Sequence, residues 1–473
     1  MKNCRSLSGV LEAANQVKNN AVEVENHVKH GASSKSLTSI KTMNMKSSVK
    51  KIVVSFMLFS LHLLVISAQG GIGNISCTLR GEVIDRPQSN QLMLIKEGSD
   101  PRSTEWISIS IENGKFEYIL NCDHEEFYEL IFYEEFMNGH WLPITFISEQ
   151  GTLNFTLFPS EESEHYQLEG GALNKAYKDF ENDERNRFFP LAEQYWEKFE
   201  QLRNDDNYYS SEFLSLEAQS RASTDDAERR VLSEQHFKMQ MEGLHLTPDA
   251  RKVWTSYDSV SWSVFKDRLE FAKNNVDILG YSILFSSIRE LSRNAPRFFK
   301  MDIMPFWDVY NTIFATKFPE HPYTENLANL ATASSLRAGV QFVDFTAVDM
   351  AGNQVRLSER IKGKPTLLHL WASWCGPCRR KGINLIPVYE EFRDKGFVVI
   401  GVARERGNTD AAQAAIKMDG YTWENLVELN DTEQIWQKYG LGNAGGGEFL
   451  IDENGIIIAV NPSIEEIRSF MGK

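Results

Sequence analysis

Cysteine, proline and basic charge are scarce in this chain, and each scarcity excludes a class of protein. Five cysteines among 473 residues are too few for a small fold held together by disulfides. With 14 prolines and 30 glycines, the chain is neither a collagen nor a low-complexity fibre. The net charge of −15 argues against nucleic acid as the main partner, because contacts to phosphates need a basic surface.

The rest of the composition is typical of globular domains. Hydrophobic residues make up 42% and charged residues 24% of the chain. These fractions exclude a wholly disordered chain and a polytopic membrane protein. At roughly 150 residues per domain, the length indicates a multi-domain protein of about three domains.

Basic residues are concentrated at the front of the chain. Residues 1–51 hold nine Lys or Arg and three Glu, a net charge of +6. An apolar run over residues 52–67 follows Lys51, and small residues come after it. A basic start, an apolar core and a small-residue exit are typical of a secretory signal peptide, and a membrane span would need about 20 residues. We expect cleavage after Ala68.

Met43 or Met45 would give this signal an ordinary length. We therefore expect residues 43–68 to be the signal peptide and residues 1–42 to be a non-native or cytoplasmic extension. The alternative is an uncleaved anchor with a short cytoplasmic tail. The expected location is the periplasm of a Gram-negative bacterium, with inner-membrane association if the signal stays uncleaved.

Residues 73–165 are expected to form an antiparallel β-sandwich. Runs such as ISCTLRGEV and GTLNFTLF alternate apolar and polar residues or are rich in β-branched and aromatic ones. Asn113-Gly114 lies between two such runs and is a strong hairpin signal. Prolines fall in the breaks between the runs.

Residues 170–335 are expected to form a helical domain. Apolar and aromatic residues recur there at spacings of three and four, as on the buried face of an amphipathic helix. Thr247-Pro248-Asp249 is typical of a helix start, since proline is favoured in the first turn. We interpret the aromatic residues as a helical core face, with a ligand groove as the alternative. They are Tyr195, Trp196, Trp254, Trp262, Phe306 and Trp307.

Residues 339–473 alternate between strand and helix patterns, which predicts an α/β fold. TLLHLWA and FVVIGVA are near-continuous apolar runs, typical of parallel strands buried on both faces. A helix is predicted from Cys375 to about Asp394. EFLID and IIIAV predict a closing hairpin, and Ser463 with Glu466 predicts a capping box on the last helix.

The segment Trp374-Cys375-Gly376-Pro377-Cys378 carries the clearest chemistry in the sequence. It lies where a buried strand turns into a helix. The first cysteine then stands at the helix N-terminus, where unpaired amides and the helix dipole favour a thiolate. Because a thiolate is the attacking species in disulfide exchange, this placement predicts Cys375 as the nucleophile and Cys378 as the resolving thiol.

A zinc site is the alternative for such a cysteine pair. It would need two further ligands at suitable spacing. The only other cysteines after the signal, Cys77 and Cys122, lie in a different segment. We therefore expect redox chemistry, no metal and no cofactor. Cys77 and Cys122 could form a structural disulfide, as an exported protein permits.

The stretch VDFTAVDMAGNQVRLSERIKGKPTLLHLWASWCGPC is similar to the TlpA-like thiol–disulfide oxidoreductases, which have the thioredoxin fold. The resemblance covers about 135 residues. It implies that Cys375 and Cys378 are the catalytic pair and that Trp374, Gly376 and Pro377 shape their loop. The β-rich segment also resembles an N-terminal domain of unknown function that is common in secreted bacterial thioredoxin-like proteins, which implies no activity.

The sequence departs from this family where a cis-proline usually faces the cysteines. The corresponding residues 442–448 read GNAGGGE and contain no proline. The family's proline helps to dock the backbone of the substrate. Gly445, Gly446 and Gly447 could let that backbone approach closely, or the stretch could be a flexible loop.

Two further departures concern charge and proton transfer. Lys381 stands where TlpA-like proteins often have an acidic residue, with Arg379 and Arg380 before it. These cations could stabilise the thiolate or could point to solvent. His369 replaces the buried Asp that thioredoxins have six residues before the first cysteine. Its imidazole could relay protons near neutral pH, or it could be a hydrogen-bonded structural residue.

Together these features predict an extracytoplasmic thiol–disulfide oxidoreductase of the reductase type. Its partners would be protein thiols and disulfides and an upstream membrane or periplasmic electron donor. A thiol peroxidase is disfavoured, because peroxiredoxins have Thr three residues before the reactive cysteine and this chain has Ala372. The other alternative is a binding or sensor protein whose thioredoxin-like domain is not primarily catalytic.

Overall fold

The computed structural model describes residues 74–292 and 298–472. The expected signal peptide over residues 43–68, the extension before it and Cys4 lie outside the described residues. Within the ranges that are described, no helix is long and apolar enough to cross a membrane.

The first described part of the chain is built of short strands in two four-stranded sheets. The strands are β1 (Ile75–Val83), β2 (Gln91–Lys96), β3 (Ile107–Ser110), β4 (Lys115–Cys122), β5 (Phe127–Phe132), β6 (Ile144–Ile147), β7 (Gly151–Leu157) and β8 (Gln167–Glu169). A short helix, α1 (Tyr133–Met137), and a 3₁₀ turn (Ser160–His165) interrupt them. One sheet has the order β4-β1-β7-β8 and the other β3-β2-β5-β6.

The two sheets share one apolar core, as the alternating sequence predicts. Leu79 and Leu153 from one sheet and Leu130 and Phe146 from the other are buried in the same cluster. The expectation of a purely antiparallel arrangement is wrong for one pair, because β1 and β7 run parallel. The chain visits β5 and β6 in the second sheet before β7 returns beside β1, so β7 enters the first sheet from the same end.

The predicted turn at Asn113-Gly114 is present. Both residues have left-handed φ values, 52° and 71°, which suits a tight turn between strands. Glu112 and Lys115 bridge across it. The flanking strands β3 and β4 then join different sheets. The turn therefore connects the two sheets and does not continue as a long hairpin.

The middle of the chain is helical, as expected. The helices are α2 (Ala172–Asn204), α3 (Ser211–Ala222), α4 (Asp226–Met241), α5 (Pro248–Asn274), α6 (Ile278–Leu291), α7 (Met304–Val309), α8 (Ala315–Lys317) and α9 (Pro322–Ser335), with one π turn (Tyr310–Phe314). Thr247 caps α5 as predicted, because its hydroxyl accepts a hydrogen bond from the Ala250 N–H at 3.1 Å.

The aromatic residues of this part belong to helical cores. Trp254 is buried in a cluster with Phe199, and Tyr195 and Trp196 pack against that cluster. Phe306 is buried in a second cluster. Trp262 and Trp307 pack against the second cluster. The structure thus favours the core interpretation over a ligand groove.

The last part alternates strands and helices around a central sheet. Its strands are β9 (Thr346–Asp349), β10 (Gln354–Arg356), β11 (Thr366–Trp371), β12 (Val398–Glu405), β13 (Glu424–Leu429), β14 (Gly447–Ile451) and β15 (Ile457–Val460). Its helices are α10 (Leu357–Ile361), α11 (Gly376–Phe392), α12 (Asp410–Asp419), α13 (Ile435–Lys438) and α14 (Ile464–Met471). The strand order is β10-β9-β13-β12-β11-β14-β15.

The buried strands of this sheet follow the sequence prediction. β11 and β12 run parallel, and every residue of β11 is buried. β14 and β15 form the predicted antiparallel closing pair. Ser463 and Glu466 make the predicted capping box. β11 therefore lies near the centre of the sheet, between β12 and β14, and the residues that follow it begin at the end of a buried strand.

The three parts of the chain contact one another. The backbone N–H of Phe127 in β5 donates to the hydroxyl of Tyr323 in α9 at 2.9 Å. Asn329 in the same helix donates through its side-chain amide to Gln434 at 2.6 Å. The helical part therefore joins the β-sheets to the α/β part.

Candidate active site at Cys375 and Cys378

The two cysteines lie where β11 ends and α11 begins. Cys375 is the residue before the helix, and its Sγ accepts the backbone N–H of Cys378 at 3.3 Å. The two sulfurs form a disulfide. Cys375 is partly exposed, and Gly376 and Pro377 are exposed. On reduction, the Cys375 sulfur would face the positive end of the helix dipole, which favours its thiolate.

A buried carboxylate holds the loop that leads to the first cysteine. Glu405, at the end of β12, accepts the backbone N–H of Ser373 at 2.8 Å and its hydroxyl at 2.9 Å. Burial raises the pKa of Glu405 above its ordinary value. No sequence pattern predicted a role for Glu405. Its contact with the loop depends on the pairing of β11 with β12, which a linear pattern does not specify.

His369, in the buried strand β11, is paired with a second buried carboxylate. Its Nδ1 lies 3.1 Å from Oε1 of Glu448, and the two residues are register partners in β11 and β14. Both side chains are buried, at 1% and 4% exposure. Within the described residues, Nε2 of the same ring has no hydrogen-bond partner. The imidazole is therefore anchored through Nδ1 alone among the described residues.

The cations after the second cysteine take three different positions. Lys381 lies with its Nζ 3.9 Å from Oε2 of Glu448. Arg379 makes a two-pronged ion pair with Asp419, with both distances at 2.7 Å. Arg380 is exposed. Arg379 and Lys381 thus have carboxylate partners within the domain, while the side chains of Arg380 and Lys381 are both exposed to solvent, Lys381 at 55%.

The glycine stretch packs directly against the disulfide. A Cβ atom at Gly445 would lie 2.3 Å from Sγ of Cys375 and 3.1 Å from Sγ of Cys378. A Cβ atom at Gly446 would lie 1.9 Å from the carbonyl oxygen of Leu370. The shortest distance at each glycine, 2.3 Å and 1.9 Å, is too short for a side chain to be placed there without movement of its neighbours. The loop thus occupies the place facing the cysteines, where the resembling family has its proline.

A residue of the β-rich part reaches the same site. The guanidinium of Arg102, in the loop between β2 and β3, lies over the ring of Trp374 at 4.1 Å. Its Nη2 also donates to the carbonyl oxygen of Asn443 at 3.2 Å. Asp100 accepts from the same side chain at 2.9 and 2.8 Å. Sequence reasoning missed Arg102, because no local pattern links it to residues more than 270 positions away.

Cys77 and Cys122 are free thiols buried in the β-sheets. The disulfide considered for them is not formed, since Cys77 is opposite Leu120 and Cys122 is opposite Ile75 in the paired strands. Burial raises the pKa of Cys77 to about 11. Such a thiol stays protonated and unreactive at neutral pH.

Comparisons with known proteins find relatives of the C-terminal part of the chain. A model of the AhpC/TSA family matches residues 338–460. The chain is 25% identical over 130 residues to the thiol-disulfide oxidoreductase ResA of Bacillus anthracis, covering 27% of this chain and 71% of that protein. It is 27% identical over 133 residues to ResA of Halalkalibacterium halodurans, covering 28% and 72%.

Among solved structures, the chain is similar to the thioredoxin domain of a thiol-disulfide oxidoreductase from Bacteroides vulgatus. The identity is 27% and the TM-score 0.27, with 29% of this chain and 97% of that chain covered. A thiol:disulfide interchange protein from Bacteroides sp. is 26% identical, also with a TM-score of 0.27, over 29% and 93%. The C-terminal part of this chain is a thioredoxin-like domain with relatives among the thiol–disulfide oxidoreductases.

Proposed function

We propose that this protein is an extracytoplasmic thiol–disulfide oxidoreductase that reduces disulfides in protein substrates. The observation that carries the proposal is the Cys375–Cys378 disulfide at the start of α11, directly after a buried strand. Cys375 is partly exposed and stands before the helix, and Cys378 lies in its first turn. An attacking and a resolving thiol need this arrangement.

Reduction of a client disulfide takes two thiol–disulfide exchange steps. In the reduced protein, the Cys375 thiolate attacks one sulfur of a client disulfide and forms a mixed disulfide, and the released client sulfur takes up a proton. Cys378 then loses its proton and attacks Sγ of Cys375, which releases the second client thiol and leaves the protein disulfide. Two electrons pass from the protein dithiol to the client, so an upstream donor must reduce the protein again.

His369 and Glu448 are suited to handle the proton of Cys378. The carboxylate fixes the imidazole through Nδ1 at 3.1 Å, which leaves Nε2 to accept or return a proton. We assign the pair to proton relay. Nζ of Lys381 lies 3.9 Å from Glu448, so an effect of Lys381 on the thiolate would pass through that carboxylate.

The active-site loop and the glycine stretch would form the contact surface for the client. Trp374, Gly376 and Pro377 shape the loop around the cysteines. At Gly445 the backbone has no side chain to hold a client backbone away from the sulfurs, whereas Cβ atoms at Gly446 and Gly447 would meet Leu370 and Leu441. We assign these glycines to substrate docking.

The location and layout of the protein are part of the same proposal. A signal peptide over residues 43–68 would export residues 69 onward to the periplasm, or anchor them to the inner membrane if it is retained. The layout would then be a β-sandwich domain (73–165), a helical domain (170–335) and the thioredoxin-like domain (339–473). A thiol peroxidase is not proposed, because the buried Ala372 offers no hydroxyl.

The reduction potential of the Cys375–Cys378 pair tests the proposal. The full chain would be equilibrated with glutathione or dithiothreitol buffers and the thiols trapped and counted. We expect a value near that of thioredoxin, about −270 mV, as a reductase requires. A value near −120 mV would make the protein a disulfide donor instead. If no reversible couple appeared, the oxidoreductase assignment would fail and a binding or sensor role would take its place.

A further inference from the structure

The loop between β2 and β3 brings a charged residue of the β-rich part to the rim of the disulfide site. We infer that Arg102 is a specificity-determining residue of this site, which favours client disulfides with a carboxylate next to the cysteine. This inference rests on the proposed oxidoreductase function and adds the class of client.

Hydrogen bonds to a buried ion pair of the thioredoxin-like domain hold this loop in place. Asp431 accepts hydrogen bonds from the hydroxyls of Ser103 at 3.1 Å and Thr104 at 2.9 Å. The same carboxylate receives Arg404 through Nε at 2.6 Å and Nη2 at 2.5 Å. Arg404 is fully buried. A buried ion pair with several hydrogen bonds holds its partners in one geometry. The loop between β2 and β3 therefore keeps a fixed position beside the active site.

Arg102 is itself held in a single pose. Its Nε and Nη2 are bound to Asp100, its Nη2 also reaches Asn443, and one face of its guanidinium covers Trp374. Among the hydrogen bonds of the described residues, Nη1 has none. Because the side chain is already ordered, a client acceptor that binds Nη1 would not have to immobilise it.

Arg102 is the exposed cation of this loop, and the exposed Glu105 of the same loop accepts a hydrogen bond from the side-chain amide of Asn430 at 3.0 Å. The Arg102 side chain is 41% exposed, whereas its partner Asp100 is 2% exposed and lies behind it. Asp100 is also shared with Arg404, at 3.7 Å. At the other end of the active-site loop, a Cβ on Gly376 would lie 3.6 Å from Nη1 of the exposed Arg380. An exposed guanidinium group therefore lies beside each of two residues of the active-site loop, Arg102 beside Trp374 and Arg380 beside Gly376.

These positions select a client by charge. Nη1 is the donor of Arg102 that remains for a client carboxylate, because Nε and Nη2 are bound to Asp100. A client Asp or Glu beside its cysteine would meet Nη1 of Arg102 as the client backbone passes the glycine stretch. A client Lys or Arg at the same place would meet like charge, which opposes binding.

The experiment compares two small disulfides of opposite charge. Reduced full-chain protein would be mixed at low ionic strength with 3,3′-dithiodipropionate, which is anionic, and with cystamine, which is cationic. The measured quantity is the ratio of the two second-order rate constants, anionic over cationic. We expect Arg102→Gln to lower this ratio about threefold to fivefold, the effect of one exposed ion pair. Arg102→Lys should recover part of the lost ratio, because it keeps the charge.

Arg80→Gln is the matched control. Arg80 is an exposed arginine of the same β-sheets, paired with Glu117, and its removal should leave the ratio at the wild-type value. If Arg102 only braced the loop, Arg102→Gln would slow both disulfides equally and the ratio would not move, which overturns the inference. Equal ratios in Arg102→Gln and Arg102→Lys would overturn it as well. If wild-type protein reduced neither compound, the proposed function itself would fall.

Discussion

Glu448 lies opposite His369 across the β11–β14 pair, with Oε1 3.1 Å from Nδ1. The same carboxylate has Lys381 at 3.9 Å on its other oxygen. TlpA-like proteins often have an acidic residue at the position of Lys381. In this chain the acidic residue is Glu448 on the neighbouring strand β14. Lys381, at the helix position, has the opposite charge and pairs with it.

Replacement of Glu448 by Gln should destabilise the protein. It removes the charge that pairs with a buried imidazole and with Lys381. We expect a loss of about 1–3 kcal/mol in the free energy of unfolding, measured by urea denaturation. The control is Glu424→Gln, which removes a carboxylate paired with Arg360 at the surface and should cost about 1 kcal/mol or less. Equal losses in the two variants would contradict a buried His369–Glu448 pair of this strength.

The two cysteines should give opposite results when each is replaced by serine. Cys378→Ser leaves the attacking thiol without its resolving partner, so a mixed disulfide with a client should accumulate. Cys375→Ser should form none. Mass spectrometry of protein mixed with oxidised glutathione would detect the adduct of about 305 Da. Cys122→Ala, which removes a buried free thiol, should keep full reductase activity. An adduct on Cys375→Ser but not on Cys378→Ser would reverse the assigned roles.

A methyl group at Gly445 should disturb the oxidised protein. In Gly445→Ala the new Cβ would start 2.3 Å from Sγ of Cys375, so the loop must move. Overpacking of this kind costs about 1–3 kcal/mol, which thermal or urea unfolding of the oxidised form would measure. Gly376→Ala is the control from the same site, since its Cβ would have only Arg380 Nη1 within 4 Å, at 3.6 Å. A Gly445→Ala protein as stable as Gly376→Ala would show that the glycine loop does not contact the sulfurs.

Glu428 should make the protein less stable as the pH rises. Burial raises its pKa from 4.5 to about 7. Between these values the unfolded chain has lost the proton and the folded protein keeps it, so stability falls through this window and the loss is complete above pH 7. The contribution is about 3 kcal/mol at most. Glu428→Gln keeps an acceptor for the Ile435 N–H and should remove this pH dependence.

Urea unfolding at pH 5 and pH 8 would measure the effect. The stability gained by Glu428→Gln over wild type should be larger at pH 8 than at pH 5. Glu453→Gln, at an exposed turn position, should show no such difference. A gain that was the same at both pH values would rule out a raised pKa at Glu428.

Local chemistry was predictable from the sequence, and long-range neighbours were not. The position of Cys375 before its helix was predictable because a buried strand, a short loop and Pro377, a residue typical of a first helical turn, lie within a few residues of one another. The Ser463 cap and the Thr247 cap are predictable for the same reason. Arg102, Glu405 and Glu448 reach the site only through the order of strands and the docking of a loop. A periodic pattern shows which face is buried but not which neighbour covers it.

The parallel pair of β1 and β7 illustrates the same limit. The alternation in both strands predicts a buried face for each, and both have it. Alternation is identical whether strands run parallel or antiparallel, so the direction follows only from the path of the chain through the second sheet. The sequence pattern therefore favoured the more common antiparallel arrangement.

The position of β1 inside its sheet also determines when that sheet can form. β1 lies between β4 and β7, and Cys77 pairs with Gly151, 74 positions further along the chain. Closing a loop of this length costs chain entropy before any contact is gained, and such distant pairings slow folding. β1 precedes both of its neighbours in the chain and is thus among the last strands to complete its pairing. The first sheet can therefore close only when the chain as far as β7 is available.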